Sequence, residues 1–202
     1  VRLFVLMILV VAGGRLHAAV TDGLVPLDRA EYRLEMHVIG GLGATWYTEP
    51  PSRYSNERIF TGYNGNARIM WHPDHLLGVG LMTGYQVFSL ERFSPGPDND
   101  LVQETKMQLG SIPIHAVFEM QGPYVRIGAG IGMYVLLSQL HEGDAITYSN
   151  SLAFGGSAWI GYAFTLSDRL RLGPDLVVQV ISDRGIGNVS AMVTVQIDLL
   201  SY

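Results

Sequence analysis

The chain has no cysteine. That excludes disulfides, thiol chemistry, cysteine-ligated metal and an N-terminal lipoprotein anchor, and it leaves the redox state of the compartment unreadable. Lysine is nearly absent, the arginines are scattered and the formal net charge is −5. No basic stripe follows a phosphate backbone, so nucleic acid is not an expected partner. Charge of either sign is scarce, at 15% of residues, which is low for a chain that meets water on all sides. Long hydrophobic runs are missing as well. After the first segment no stretch approaches the 18 or so apolar residues that a spanning helix needs.

What is present points to a nonpolar solvent. Hydrophobic residues make up 48% of 202 residues, and the mean hydropathy is +0.23. The length suits one domain with a real core. Residues 1–19 read as a cleaved signal peptide: one early charge at Arg2, an apolar run from Leu3 to Ala12, Gly13-Gly14-Arg15, and a small-residue exit at Ala18-Ala19. The initial valine is expected to reflect an alternative start codon. The expected domain is therefore 20–202, with cleavage after Ala18 or Ala19.

The remainder alternates with period two in eight segments. In the first, Tyr32, Leu34, Met36, Val38, Leu42, Ala44 and Trp46 share one face, with Arg33, Glu35 and His37 on the other. The second sets Ile59, Tyr63, Ala67, Ile69 and Trp71 against Arg58, Asn64, Asn66, Arg68 and His72. The third sets Leu77, Val79, Leu81, Thr83, Tyr85 and Val87 against glycines, Met82 and Gln86. The fourth places Ile112, Ile114, Ala116, Phe118 and Met120 opposite His115 and Glu119. Pro113 cannot donate to a ladder, so a bulge or local break is expected near it. The fifth runs Val125, Ile127, Ala129, Ile131, Met133, Val135 and Leu137 against Arg126, Tyr134 and three glycines. The last three carry Leu152 to Phe164, Leu170 to Val180, and Val189 to Leu199 on their apolar faces.

Because open sheet edges do not occur in hydrocarbon, only a closed barrel of such strands can cross a membrane. Connection lengths support this reading. The first, third and fifth connections (48–57, 91–105, 138–150) are long and polar and the seventh (182–188) is intermediate, while His72-Pro73-Asp74-His75, Gly122-Pro123 and Leu166-Ser167-Asp168 are tight. Outer-membrane barrels alternate in this way, with short periplasmic turns and longer external loops. Trp46, Trp71, Phe118, Tyr162 and Phe164 stand near segment ends, where aromatic rings suit the lipid interface. A soluble barrel with the apolar face inward is the competing arrangement.

The chain resembles the small outer-membrane β-barrel families, the OmpX-like proteins and the transmembrane domain of OmpA. The residues carrying the resemblance are Ser111-Ile-Pro-Ile114, Pro123-Tyr-Val-Arg-Ile-Gly-Ala-Gly-Ile-Gly132 and Gly161-Tyr-Ala-Phe-Thr-Leu-Ser-Asp-Arg-Leu-Arg-Leu-Gly173. The resemblance implies an all-β, eight-stranded antiparallel up-and-down transmembrane barrel, in a bacterial outer membrane, as a monomer. It also implies a C-terminal strand read by the barrel-assembly machinery, here ending at Tyr202. Val195, Ile197 and Leu199 stand one step out of phase with Tyr202, and a bulge near Leu200 is expected to correct this.

The inward charges, concentrated toward the turn end, are Arg33, Glu35, His37, Arg68, His115, Glu119, Arg126, Arg171, Asp175 and Asp198. Their mixed signs predict a self-neutralising polar plug, since an eight-stranded barrel has little room beyond its own side chains. A two-residue turn at Gly122-Pro123 would set Glu119 against Arg126, and barrel closure would set Asp198 beside Glu35 or His37. No cofactor, metal or catalytic set is expected. The expected role is structural or surface interaction, with lipid and an extracellular ligand or partner at the loops. The first alternative is a narrow channel or binder for small hydrophobic solutes, as in OmpW-type barrels, using space left by inward glycines. The second is a lipid hydrolase, for which the external histidine is His141, beside Glu142 and Asp144. His72-Pro-Asp-His75 is read as a turn rather than a metal site, and Gly128-Ala-Gly130-Ile-Gly132 as strand glycines making room for Trp159, Tyr134 and Phe88 rather than a phosphate loop.

Overall fold

The computed structural model describes residues 32–48, 57–73, 76–93, 105–142, 145–182 and 185–201. The expected signal peptide, Tyr202, His75, Asp144 and the tips of the first and third connections lie outside them. The strands are β1 (Arg33–Tyr47), β2 (Glu57–Ile59), β3 (Thr61–His72), β4 (Leu77–Phe93), β5 (Thr105–Gln121), β6 (Val125–Glu142), β7 (Ala145–Tyr162), β8 (Phe164–Ser167), β9 (Leu170–Ile181) and β10 (Ile186–Ser201). Phe60 separates β2 from β3, and Ala163 separates β7 from β8. Each of these pairs falls within one expected segment, so eight segments account for all ten strands.

All pairings are antiparallel, and the order β10-β1-β3-β4-β5-β6-β7-β9 closes because β9 also pairs with β10. The β1–β10 seam runs from Arg33 opposite Ser201 to Tyr47 opposite Ile186. Closure satisfies the main-chain groups that an open sheet would leave at its two edges. No helix among the described residues is long and apolar enough to cross a membrane, which says nothing against crossing by strands.

The apolar face points outward. Leu42 is 71% exposed, Leu152 70% and Leu81 68%, while Glu35, Arg68 and Arg126 inside the ring are 0% exposed. A continuous apolar surface around the whole ring far exceeds the few hundred Å² that monomeric soluble proteins expose. The core-inward soluble arrangement is therefore not the one adopted.

Beside its charged groups the interior holds two apolar clusters. Ile39, Met70, Met82, Val117, Trp159, Val177 and Met192 pack into one buried apolar cluster. Phe88, Leu109, Tyr134, Leu136, Ala153, Ile181 and Ile186 form another. These residues sit on the inward parity, and apolar side chains packed together inside a narrow ring gain by excluding water just as they do in a soluble core.

Three irregularities adjust the strand phases. Opposite Ile112 and Pro113 the β4–β5 pairing lapses, and a register shift follows between Val87 and Ser89. The break expected of Pro113 is thus taken up on β4. The shift flips the parity of β4, so Val87, read as outward, is buried at 2% and Phe88 is also inside. In β10, Leu34 pairs with Leu200 but Glu35 with Asp198, leaving Leu199 as the extra residue. That is the bulge expected near Leu200.

The fifth connection is also corrected. Instead of a loop over 138–150, β6 and β7 continue as a hairpin paired from Val125 opposite Tyr162 to Glu142 opposite Ala145. On its other side β7 pairs with β9 only over Gly155–Gly161. The alternation of Ile146, Tyr148 and Leu152 with Thr147, Ser149 and Ser151 favours an extended chain, and the ladder continues past the point where the ring ends.

Candidate functional site: the charged interior

All ten inward candidates face the inside of the ring, and they resolve into two networks with His115 apart. In the first, Glu35 is the hub. Arg171 Nη2 donates to Glu35 Oε1 at 2.7 Å and to Asp198 Oδ1 at 2.9 Å. Arg33 Nη1 lies 3.9 Å from Glu35 Oε1, and His37 Nε2 lies 3.1 Å from Glu35 Oε2. The seam register places Glu35 opposite Asp198 and His37 opposite Gln196, so the closure expectation holds.

In the second network Asp175 is the hub. Arg126 Nη2 donates to Asp175 Oδ1 at 2.6 Å and Thr194 Oγ1 donates to Oδ2 at 2.7 Å. Arg68 Nη1 stands 3.9 Å from Asp175 and 3.8 Å from Glu119. Its guanidinium lies over the Trp159 ring at 3.8 Å, and Trp159 Nε1 donates to Glu119 Oε2 at 2.8 Å. Stacking on an aromatic face and flanking by two carboxylates are what make a buried guanidinium tolerable.

One expected pair is replaced. The turn after β5 sets Gln121, not Glu119, opposite Arg126, and Glu119 faces Gly128. Four residues therefore separate the paired ends of this turn, and Arg126 reaches over Gly161, its partner on β7, to Asp175 on β9 instead of to Glu119. The glycine expectation holds at Gly128, where an added Cβ would fall 2.2 Å from the Trp159 ring. Gly155 serves Tyr134 in the same way, with the ring carbon Cε2 at 2.8 Å from the Cβ position.

His115 Nδ1 lies 3.2 Å from Ser157 Oγ, and its ring meets Tyr134 edge-on at 4.6 Å. No carboxylate completes this pair among the described residues. His141 stands on the protruding hairpin, opposite Lys106 on one strand and Ile146 on the other, and none of the charged interior shares that hairpin. Among the described residues a serine, a histidine and an acid are not brought together, as nucleophilic hydrolysis would need.

Sequence reasoning missed Thr194 and Gln196, and it placed His72 and Trp159 on the inward side without a part in the networks. His72, which shares the parity of Arg68 and also opens an expected turn, ends β3 fully buried with Nε2 3.5 Å from Glu35 Oε2. Farther along the interior, polar side chains pair with one another: Asn188 with Thr45 at 2.9 Å, and Gln86 with Asn66 at 3.2 Å.

No family model and no curated protein matches the chain. Solved structures do. Neisserial surface protein A superposes with a TM-score of 0.52 at 10% identity, covering 82% of this chain and 97% of that one. Ail, the attachment invasion locus protein of Yersinia pestis, determined with the heparin analogue sucrose octasulfate, gives 0.50 at 8% identity, covering 83% and 98%. The chain has the fold of the small bacterial outer-membrane β-barrel proteins.

Proposed function

We propose that the chain is a bacterial outer-membrane barrel whose interior is closed by its own side chains and whose role is surface interaction through the hairpin that β6 and β7 raise beyond the ring. The short turns 122–124 and 168–169 then face the periplasm, and the hairpin faces outside. The observation carrying the role is the unpaired side of β7. From Ala145 to Ala153 no strand among the described residues pairs with that side, and every residue from Ala145 to Leu152 is exposed. Such an edge is a template for an added strand, and β-augmentation recognises an extended protein segment through main-chain hydrogen bonds. Ail was determined with a sulfated sugar analogue; here the formal charge of −5 and the lack of any lysine or arginine in residues 138–150 favour a protein partner instead.

The test compares cells displaying the chain with cells displaying equal amounts of Asn150→Pro, which removes a main-chain donor from the hairpin. Retention on surfaces coated with extracellular-matrix protein is expected to fall several-fold in the variant, and equal retention contradicts the surface role. In planar bilayers the purified protein is expected to give no single-channel steps, because two apolar clusters and two charge networks fill the ring. Clear steps would favour the solute-channel alternative.

A further inference from the structure

We propose that Glu35, His37 and His72 form a binding site for Zn²⁺ or a first-row metal of similar ligand preference, inside the ring near its turn end. Glu35 and His37 are two residues apart on one face of β1, and His72 enters from β3, opposite Arg33. Glu35 Oε2 lies 3.1 Å from His37 Nε2 and 3.5 Å from His72 Nε2, and the three donor atoms all lie within 4.8 Å of one another. Ligands about 2.0–2.2 Å from a tetrahedral zinc stand roughly 3.3–3.5 Å from each other, close to the two separations between the carboxylate oxygen and the imidazoles.

Three observations separate this from an ordinary hydrogen-bonded cluster. His72 is 1% exposed, yet its Nε2, aimed at the carboxylate, has no hydrogen-bond partner. Two imidazoles converge on one carboxylate oxygen, and a cation placed among the three donor atoms would meet all of them. The place for His72 is also made by the fold, since a Cβ on Gly78 would fall 2.5 Å from the ring's Cε1. Arg171 holds the other carboxylate oxygen at 2.7 Å and leaves Oε2 turned toward the two imidazoles, the kind of outer partner that orients a ligating carboxylate.

The neighbouring arginines also set the selectivity. Arg171 and Arg33 oppose a dication held by charge alone, so neutral imidazole must supply the affinity, and imidazole suits Zn²⁺, Cu²⁺ or Ni²⁺ rather than Mg²⁺ or Ca²⁺. A cavity of 410 Å³ is lined by Arg33 and Arg171, the two arginines that stand against Glu35.

The experiment uses the full, untagged chain folded in detergent micelles and titrated with Co²⁺, followed by Zn²⁺ competition. One equivalent of Co²⁺ is expected to produce the visible absorption of a four- or five-coordinate centre, and Zn²⁺ to remove it. His37→Ala and His72→Asn should each weaken binding by about 100-fold or more, while His141→Ala leaves it unchanged. Heat-modifiable gel migration reports whether each variant has folded. If either fails to fold, X-ray absorption of the zinc-loaded wild type takes its place, with two imidazole ligands expected. No absorption from the folded wild type, equal affinity in the folded variants, or a zinc shell of water oxygens alone overturns the site.

Discussion

Asp175→Ala is expected to lower the folding stability of the protein by about 3–5 kcal/mol, the range found when one partner of a buried ion pair is removed. Asp175 is 3% exposed and holds Arg126 at 2.6 Å, with Arg68 beyond it at 3.9 Å. Its removal leaves two buried cations, with Glu119 as the only carboxylate near Arg68 among the described residues. The loss should shrink in the double variant Asp175→Ala/Arg126→Leu, which takes away the stranded charge together with its partner. Urea unfolding in phospholipid vesicles, followed by tryptophan fluorescence, reads both values. A loss below about 1 kcal/mol for the single variant would mean that water reaches this network as it reaches surface pairs, and the filled interior would have to be abandoned.

Ile131→Arg tests the opposite face. Ile131 lies midway along the apolar run of β6, points outward and is 55% exposed. Arginine at the midplane of a barrel's lipid face costs about 2–4 kcal/mol. Tyr148→Arg, on the exposed hairpin, should change stability by no more than about 0.5 kcal/mol, as exposed substitutions generally do. Equal, small effects at the two positions would mean that both meet water.

The architecture was legible because alternation reports directly which side chains share a face, and a closed ring has only two faces. β6 shows this best: Val125 to Leu137 alternate without a charge on the outward side, and the structure leaves that side outward. Local departures were less legible, because a bulge moves parity without changing composition. Pro113 announced a disturbance, but the chain relieves it across the ladder at Val87–Ser89, where nothing in the residues of β4 marks it. The bulge at Leu199 could be inferred because Tyr202 supplied a second phase reference.

The interior charges were found by parity, but their pairings were not. Which strands face one another across the ring depends on register and turn length, and a different turn after Gln121 was enough to redirect Arg126 from Glu119 to Asp175. Parity put His72 on the face of Arg68, but Pro73 also made its neighbourhood read as a turn, and its place against Glu35 depends on the β1–β3 register. The hairpin over 138–150 was read as a loop because its serines, threonines and asparagines are common in loops, while the alternating Ile146, Tyr148 and Leu152 were given too little weight.

The account depends above all on acyl chains touching the outward side chains of the ring. Because the chain has no cysteine, single cysteines placed successively at Val125, Arg126, Ile127, Gly128, Ala129, Gly130 and Ile131 can each carry one spin label in phospholipid bilayers. Collision with oxygen, which concentrates in the hydrocarbon, should be high at the odd positions and low at the even ones. The reverse alternation, or high accessibility to a water-soluble nickel complex at the odd positions, would contradict it.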